Sequence, residues 1–161
     1  MNIIITGTKG SGKSTLANRV LDGFSGSVSG FRTVFRNRCE ETQALYVESL
    51  DGSISCRAAD WSDGGRRLYS EAFDCLAVSL IDSGSQLVFI DELGFMEKDS
   101  TSLKDAVEQA FDKCRNTVCV IRIDAVGWMQ ELKARKDVTV MAVTHENRDL
   151  LCDHILALLN T

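Results

Sequence analysis

Residues 7–14 read Gly-Thr-Lys-Gly-Ser-Gly-Lys-Ser and directly follow the apolar run Asn2–Thr6. The glycines let the backbone wrap closely around an anion, so that amide N–H groups point inward. A helix that begins here also offers its positive N-terminus to the anion. Lys13 adds a mobile positive charge, and Ser14 adds a hydroxyl that can bind Mg²⁺. This spacing predicts a polyphosphate-binding loop, the P-loop or Walker A motif.

The alternative is a glycine-rich turn that binds nothing. The context favours the P-loop, because an apolar strand precedes the motif and a helical pattern, Thr15–Leu21, follows it. The residues predicted to bind a nucleotide are Gly7, Thr8, Lys9, Gly10, Ser11, Gly12, Lys13, Ser14 and Thr15.

A second apolar run, Leu87–Ile90, ends in the two carboxylates Asp91 and Glu92. An aspartate at the C-terminal end of a neighbouring strand lies where the crevice of such a sheet opens, and there it can hold Mg²⁺. This is the Walker B position. Glu92 can orient or deprotonate a water molecule in line with the γ-phosphate. The alternative is that both residues merely end a strand.

Arginines supply further candidates for contact with the γ-phosphate. Arg32, Arg36 and Arg38 are spaced by even numbers, so they share one face of an extended strand. Facing the crevice, Arg36 could neutralise charge in the transition state, whereas outward-facing arginines would protect an edge strand. The outward orientation is favoured for most of them. Arg122, at the end of the apolar run Val118–Ile123, is a second candidate.

Two other segments contribute possible site residues. Glu97 lies in the loop before a helix, where it could contact the site or serve as a first-turn carboxylate. Asn147 and Arg148 lie between the last strand and the last helix, where they could contact the nucleobase. The alternative for this segment is helix capping.

Strand and helix patterns alternate along the chain and must position these residues. Nearly continuous apolar runs at Ile3–Thr6, Leu87–Ile90, Val118–Ile123 and Val138–Val143 are typical of parallel strands buried on both faces. Helical spacing occurs at 68–80, 103–114 and 151–159. The sequence therefore predicts an α/β protein with the three-layer α/β/α P-loop NTPase fold and a mostly parallel sheet.

Residues from about 26 to 61 break this alternation and predict antiparallel strands at Val28–Asn37, Ala44–Leu50 and Ser53–Arg57. Asp51-Gly52 is a strong hairpin signal between the last two. We expect an antiparallel hairpin insertion after the first helix, within one domain spanning residues 1–161. The glycine-rich segment 62–65 is predicted to be a loop.

Composition restricts the class of protein further. The 161 residues carry a net charge of −5, which disfavours nucleic acid as the main partner. No run approaches membrane-spanning length. The six cysteines lack metal-binding spacing and are interpreted as reduced, mostly buried thiols, which predicts a cytoplasmic protein. The sequence does not indicate an oligomeric state.

Four segments together resemble one family. They are Gly7–Ser14, Gly30–Thr33, Asp91–Glu97 and Thr144–Leu151, and they occur in that order over essentially the whole chain. The chain resembles the small nucleoside-triphosphatases of the cancer-related NTPase and thermophilic nucleotide phosphatase type. The resemblance implies a Mg²⁺-dependent hydrolase of broad specificity that converts ATP, GTP or other nucleoside triphosphates to the diphosphate and phosphate. It places Lys13 and Ser14 on phosphate and metal, Asp91 on metal, and Glu92 as the water-activating base.

Two other functions remain open at this point. A kinase would share the P-loop but transfer the phosphoryl group to a small hydroxyl compound or a nucleotide, with Trp61–Arg67 as a candidate basic lid. A nucleotide-binding regulatory module would bind tightly with negligible turnover. The hydrolase is favoured, because Glu92 directly after the metal aspartate suits activation of water.

Overall fold

The computed structural model describes residues 1–36, 43–80 and 84–161, except for the side chain of Ser79. Arg38, Cys39 and the end of the predicted strand at Asn37 lie outside the described residues. The strands are β1 (Asn2–Thr6), β2 (Val28–Arg36), β3 (Gln43–Ser49), β4 (Ser55–Ser62), β5 (Gly65–Leu68), β6 (Leu87–Leu93), β7 (Thr117–Ile121) and β8 (Val138–Ala142). The helices are α1 (Lys13–Gly23), α2 (Glu71–Leu80), α3 (Thr101–Lys113), α4 (Trp128–Lys133) and α5 (Arg148–Leu159).

The described strands form one sheet in the order β5-β4-β3-β2-β6-β7-β1-β8. From β2 to β8 all neighbouring strands run parallel, and from β2 to β5 they run antiparallel. β2 therefore belongs to both parts, because it pairs in parallel with β6 and antiparallel with β3. The antiparallel strands extend the edge of a parallel sheet, as the sequence predicted.

Side chains of the central strands alternate between two apolar cores, one on each face of the sheet. Ile3 and Ile5 pack with helices α1 and α5, whereas Ile4 packs with α2, α3 and α4. The same alternation places Phe89 in the first core and Ile90 in the second. Helices thus cover both faces, and the predicted three-layer α/β/α P-loop fold is confirmed.

Close packing between β2 and β6 requires a glycine. Gly30 has φ +119°, and a Cβ atom added there would lie 1.8 Å from the carbonyl oxygen of Phe89. No side chain fits at that distance, so the two strands can approach only because residue 30 has none. This contact fixes β2 beside the strand that carries Asp91 and Glu92.

Two elements differ from the sequence-based expectations. The segment after β4 was predicted to be a loop and a possible lid, but it turns at residues 63–64 and continues as β5 at the sheet edge. All four residues of β5 are exposed, so its sequence lacks the alternation that indicates a half-buried strand. Helix α4 was not predicted, because its six residues are too short to show helical periodicity.

The cysteines also differ in part from the prediction. The five described cysteines are free thiols; Cys119 and Cys152 are buried, but Cys75 is exposed. The expectation that most of them are buried was wrong for the described cysteines, because Cys56 and Cys114 are only half-buried. Among the described residues, no helix has the length and apolar character needed to cross a membrane.

Candidate active site

The loop between β1 and α1 has the conformation that its glycines permit. Gly10 and Gly12 have φ values of +81° and +95°, in the left-handed region that favours glycine. The Ser11 amide donates a hydrogen bond to the Thr8 carbonyl (3.2 Å), which closes the turn. The Leu16 amide then donates to the Gly12 carbonyl (2.9 Å) and begins helix α1. The amides at the start of α1 are therefore available to an anion.

Lys13 lies within this loop rather than in solvent. Its side chain is only 8% exposed, and its ammonium donates to the Thr8 carbonyl at 3.0 Å. A buried ammonium on a single carbonyl retains two unused N–H donors for further acceptors. Its charge also opposes the rise in the pKa of both Asp91 and Glu92, which places it near these carboxylates.

A cavity of about 560 Å³ lies beside the start of α1, on the face of the sheet that α1 covers. This volume is within the usual range for small-molecule sites. The lining residues come from α1, β2, β3 and the end of β6: Ser14, Asn18, Arg32, Thr33, Val34, Phe35, Glu48, Asp91 and Glu92. We call it the phosphate cavity. It brings together Ser14, Asp91 and Glu92, which the sequence assigned to one site.

The two carboxylates at the end of β6 are unusually costly to ionise. Burial raises the pKa of Asp91 to about 6, with the neighbouring charge of Glu92 as a smaller cause. Burial likewise raises the pKa of Glu92. The pairing of β6 with β7 shifts between Asp91 and Leu93, which leaves Glu92 as an extra residue at the bulge. Both side chains consequently border the phosphate cavity, whereas a regular strand would send them to opposite faces.

Several buried polar atoms around the loop have no hydrogen-bond partner among the described residues. They include Thr6 Oγ1, Ser11 Oγ and Asp91 Oδ1. Buried polar atoms without partners are rare and indicate a missing ion, water or ligand. Asp91 Oδ1 borders the same cavity as Ser14, and this pair of oxygen donors has the chemistry that Mg²⁺ prefers. The residues present therefore fit a magnesium ion.

Glu97 does not border the phosphate cavity. It is 2% exposed, and its carboxylate accepts a hydrogen bond from the Gly94 amide at 2.8 Å. Burial raises the pKa of Glu97 to about 7, although this hydrogen bond opposes the rise. Arg122 packs across Gly94 and makes two hydrogen bonds to Asp124, at 2.8 and 3.0 Å. Its guanidinium is thus engaged by Asp124 and lies outside the phosphate cavity.

The arginines of β2 have different surroundings. Arg32 borders the phosphate cavity and is the strand partner of Asp91, and its charge opposes part of the rise in the pKa of Asp91. Arg36, the sequence candidate, forms an ion pair with Glu48 and stacks 4.2 Å from the centre of the Tyr46 ring. The structure therefore places Arg32, rather than Arg36, beside the predicted metal carboxylate.

The segment before α5 lies on the other side of the P-loop. Asn147 Oδ1 accepts from the Thr144 amide (2.8 Å), and its Nδ2 donates to the Ala142 carbonyl (2.9 Å), so its side chain holds the turn. Arg148 packs directly on the P-loop, where a Cβ atom added to Gly12 would lie 2.9 Å from its Cδ. Arg148 Nε is buried without a hydrogen-bond partner among the described residues.

Asn18 and Glu48 also border the phosphate cavity but were not candidates from the sequence. Asn18 follows Ser14 by one helical turn, and that spacing could have indicated it. Glu48 reaches the cavity only because β3 pairs antiparallel with β2 so that Glu48 lies opposite Arg32. This register is not visible in the sequence.

Comparison with known proteins covers almost the whole chain. A profile of the family described as NTPase matches residues 2–156. Nucleoside-triphosphatase THEP1 of Methanothermobacter thermautotrophicus is 30% identical, over 99% of this chain and 96% of that protein. Nucleoside-triphosphatase THEP1 of Thermotoga maritima is 26% identical, over 99% and 95% of the two chains. A Bos taurus protein named cancer-related nucleoside-triphosphatase homolog is also 26% identical, over 96% of this chain and 94% of its own length.

A solved structure has the same architecture. The crystal structure of THEP1 from the hyperthermophile Aquifex aeolicus superposes with a TM-score of 0.81. It is 27% identical in sequence, and the match covers 100% of both chains.

Proposed function

The chain belongs to the NTPase family, whose profile spans residues 2–156, and we propose that it hydrolyses nucleoside triphosphates to the diphosphate and phosphate. We propose further that the reaction depends on Mg²⁺ and accepts several nucleobases, ATP and GTP among them. The curated relatives named nucleoside-triphosphatase support the reaction class.

One observation carries this proposal. Ser14, Asp91 and Glu92 border a single cavity at the start of α1, although they come from distant parts of the chain. Lys13 lies close enough for its charge to act on both carboxylates. A triphosphate whose β-phosphate lies on the P-loop amides would extend its γ-phosphate toward this group.

Each residue then has a defined task. The P-loop amides and Lys13 bind the phosphates and stabilise the charge that develops on them. Glu92 accepts a proton from a water molecule whose oxygen bonds to the γ-phosphorus, while the bond to the β–γ bridging oxygen breaks. Arg32, beside Asp91, is positioned to stabilise the negative charge of the transferring group.

Ser14 and Asp91 are the residues that would hold Mg²⁺. The ion, when bound, neutralises phosphate charge and so favours attack by an oxygen nucleophile. Occupation of the site would also give Asp91 Oδ1, which has no hydrogen-bond partner among the described residues, an ion to coordinate, and would favour the ionised carboxylate.

We also propose a domain organisation and a cellular location for the enzyme. We take residues 1–161 as one domain that acts in the cytoplasm, without nucleic acid or membrane. The five described cysteines are free thiols, which agrees with a reducing compartment.

The test is Mg²⁺-dependent release of phosphate from ATP, GTP, CTP and UTP. Glu92→Gln should bind nucleotide but lose turnover by on the order of 10²-fold or more. Lys13→Ala should lose turnover and also bind triphosphate more weakly. Glu108→Gln, which removes the same charge from the outer face of α3, serves as the control and should retain the wild-type rate.

Two results would contradict the proposal. Wild-type rates in Glu92→Gln would exclude it as the base, and normal turnover in Lys13→Ala would exclude the P-loop assignment. Tight binding without any phosphate release in the unaltered protein would instead favour a regulatory module.

A further inference from the structure

A second cavity, of about 140 Å³, opens on the opposite face of β2 from the phosphate cavity. Its walls include Phe35, Trp61, Arg66 and Phe95, and Glu97 lies at its base. We call it the ring pocket. Its residues come from β2, β3, β4, β5, the end of β6 and the segment that follows it, with Arg122 after β7. The pocket therefore exists only because the antiparallel strands extend the sheet.

The walls are aromatic and partly open to solvent. Phe35 is 41% exposed and Phe95 51% exposed, which is unusual for large apolar side chains that line a concavity. Phe35 also packs on Trp61, with ring centroids 5.6 Å apart. Exposed aromatic rings in a concave site are typical of ligand pockets, since they gain from contact with another planar ring.

The polar groups of the pocket define what such a ring should carry. The guanidinium of Arg66 lies 5.8 Å from the centre of the Phe95 ring, and no described carboxylate forms an ion pair with it. Glu97 provides a buried carboxyl group at the base. The oxygens of a buried carboxyl group can accept hydrogen bonds from a ligand with N–H donors, as an amino-substituted heteroaromatic ring has.

The volume limits the size of the ring. An apolar cavity of about 150 Å³ holds one benzene molecule. The ring pocket, at about 140 Å³, therefore has room for one six-membered ring. A substituent on the ring would extend beyond it.

The position of the pocket gives this substituent a role. Glu92, Thr33 and Phe35 border both the ring pocket and the phosphate cavity. A group that leaves the ring pocket past Glu92 thus meets the place where the γ-phosphate ends. Glu92 would then face a ligand hydroxyl rather than water.

We propose that the ring pocket is the acceptor site of a phosphotransferase activity, for an amino-substituted single-ring heteroaromatic alcohol. The hydroxyl oxygen of the ligand forms a bond to the γ-phosphorus, and the bond between this phosphorus and the β–γ bridging oxygen breaks. The hydroxyl proton passes to Glu92, and the products are the phosphate monoester and the nucleoside diphosphate. The transfer rests on the proposed function, because it uses the same triphosphate site.

Binding is measured first, without nucleotide. Ligand-observed NMR with 4-aminopyrimidin-5-ylmethanol as the probe should give saturable binding that weakens at least fivefold in Phe95→Ala and in Arg66→Ala. Val78→Ala removes an exposed apolar side chain from α2, away from the pocket, and should bind like the wild type. Benzyl alcohol, which lacks N–H donors, should bind more weakly than the probe.

Transfer is then measured with ATP, Mg²⁺ and the probe, with the phosphorylated probe detected by mass spectrometry alongside released phosphate. We expect a phosphomonoester whose yield falls at least tenfold in Phe95→Ala while phosphate release to water continues. Phosphate release without any phosphomonoester, or equal yields from Phe95→Ala and wild type, would overturn the acceptor role. Loss of both reactions in the wild type would refute the proposed function as well, and absence of probe binding in the first assay would overturn the pocket independently.

Discussion

The buried carboxyl group of Glu97 should make the stability of the protein depend on pH. Burial raises its pKa in the folded protein from an ordinary value of 4.5 to about 7. The folded state therefore binds the proton more strongly than the unfolded state does. Below pH 4.5 this contribution to stability is fully present, and it is lost as the pH rises to 7. A difference of about 2.5 pH units between the two pKa values corresponds to about 3 kcal/mol in the free energy of unfolding.

Glu97→Gln removes the charge and retains an oxygen that can accept the Gly94 amide. The free energy of unfolding of this variant, minus that of the wild type, should increase by about 2–3 kcal/mol between pH 5 and pH 8.5. Urea denaturation at half-unit intervals of pH, without nucleotide or metal, measures this difference directly. Glu108→Gln controls for the loss of one negative charge.

The pH dependence of this stability difference shows which protonation state of Glu97 the folded protein prefers. If Glu97→Gln and wild type give parallel stability curves from pH 5 to pH 8.5, Glu97 does not hold its proton more strongly in the folded state. A difference that grows in the opposite direction would mean that the folded protein prefers the carboxylate, for example through Arg122, whose charge opposes the rise in pKa.

Three further predictions concern the sheet and the phosphate cavity. Gly30→Ala should destabilise the protein by at least about 2 kcal/mol in urea denaturation, because its methyl group would overlap the carbonyl oxygen of Phe89; unchanged stability would contradict the packing of β2. Arg32→Ala should lower kcat for ATP at least about tenfold, whereas Arg36→Ala should stay within about threefold of wild type, because only Arg32 lies beside the metal carboxylate. The reverse order would move the charge-stabilising role to Arg36. Arg148→Ala should raise KM about tenfold with little change in kcat, since the side chain packs on the P-loop away from the γ-phosphate; a loss confined to kcat would contradict this assignment.

The central part of the fold was predictable because its signals are local. The apolar run Ile3–Thr6 predicted a strand buried on both faces, and β1 has that burial along its whole length. Helical spacing over 103–114 likewise predicted α3 within two residues at its start and one at its end. The edge strand β5 and the short α4 were not predicted, since four exposed residues and six helical ones carry too little periodicity.

For the site, too, the parts encoded by contiguous motifs were predictable and the parts that depend on strand pairing were not. The P-loop and the pair Asp91–Glu92 are contiguous motifs, so their spacing alone indicates their chemistry. Arg32 and Glu48 come together through the register of β2 against its two neighbours, which depends on packing of the whole sheet. The approach of Arg66 to Phe95 depends similarly on β5, a strand that the sequence did not reveal.

The alternation along β2 implies that this strand cannot gain or lose a single residue without exchanging its two faces. Phe31 packs in the core of α2 and α3, whereas the next residue, Arg32, borders the phosphate cavity on the other face of the strand. One inserted or deleted residue would exchange the faces and turn Arg32 away from the phosphate cavity, toward the apolar core. Among homologues we therefore expect β2 to accumulate substitutions but no single-residue gaps. Length variation should collect at turns such as Asp51-Gly52 instead.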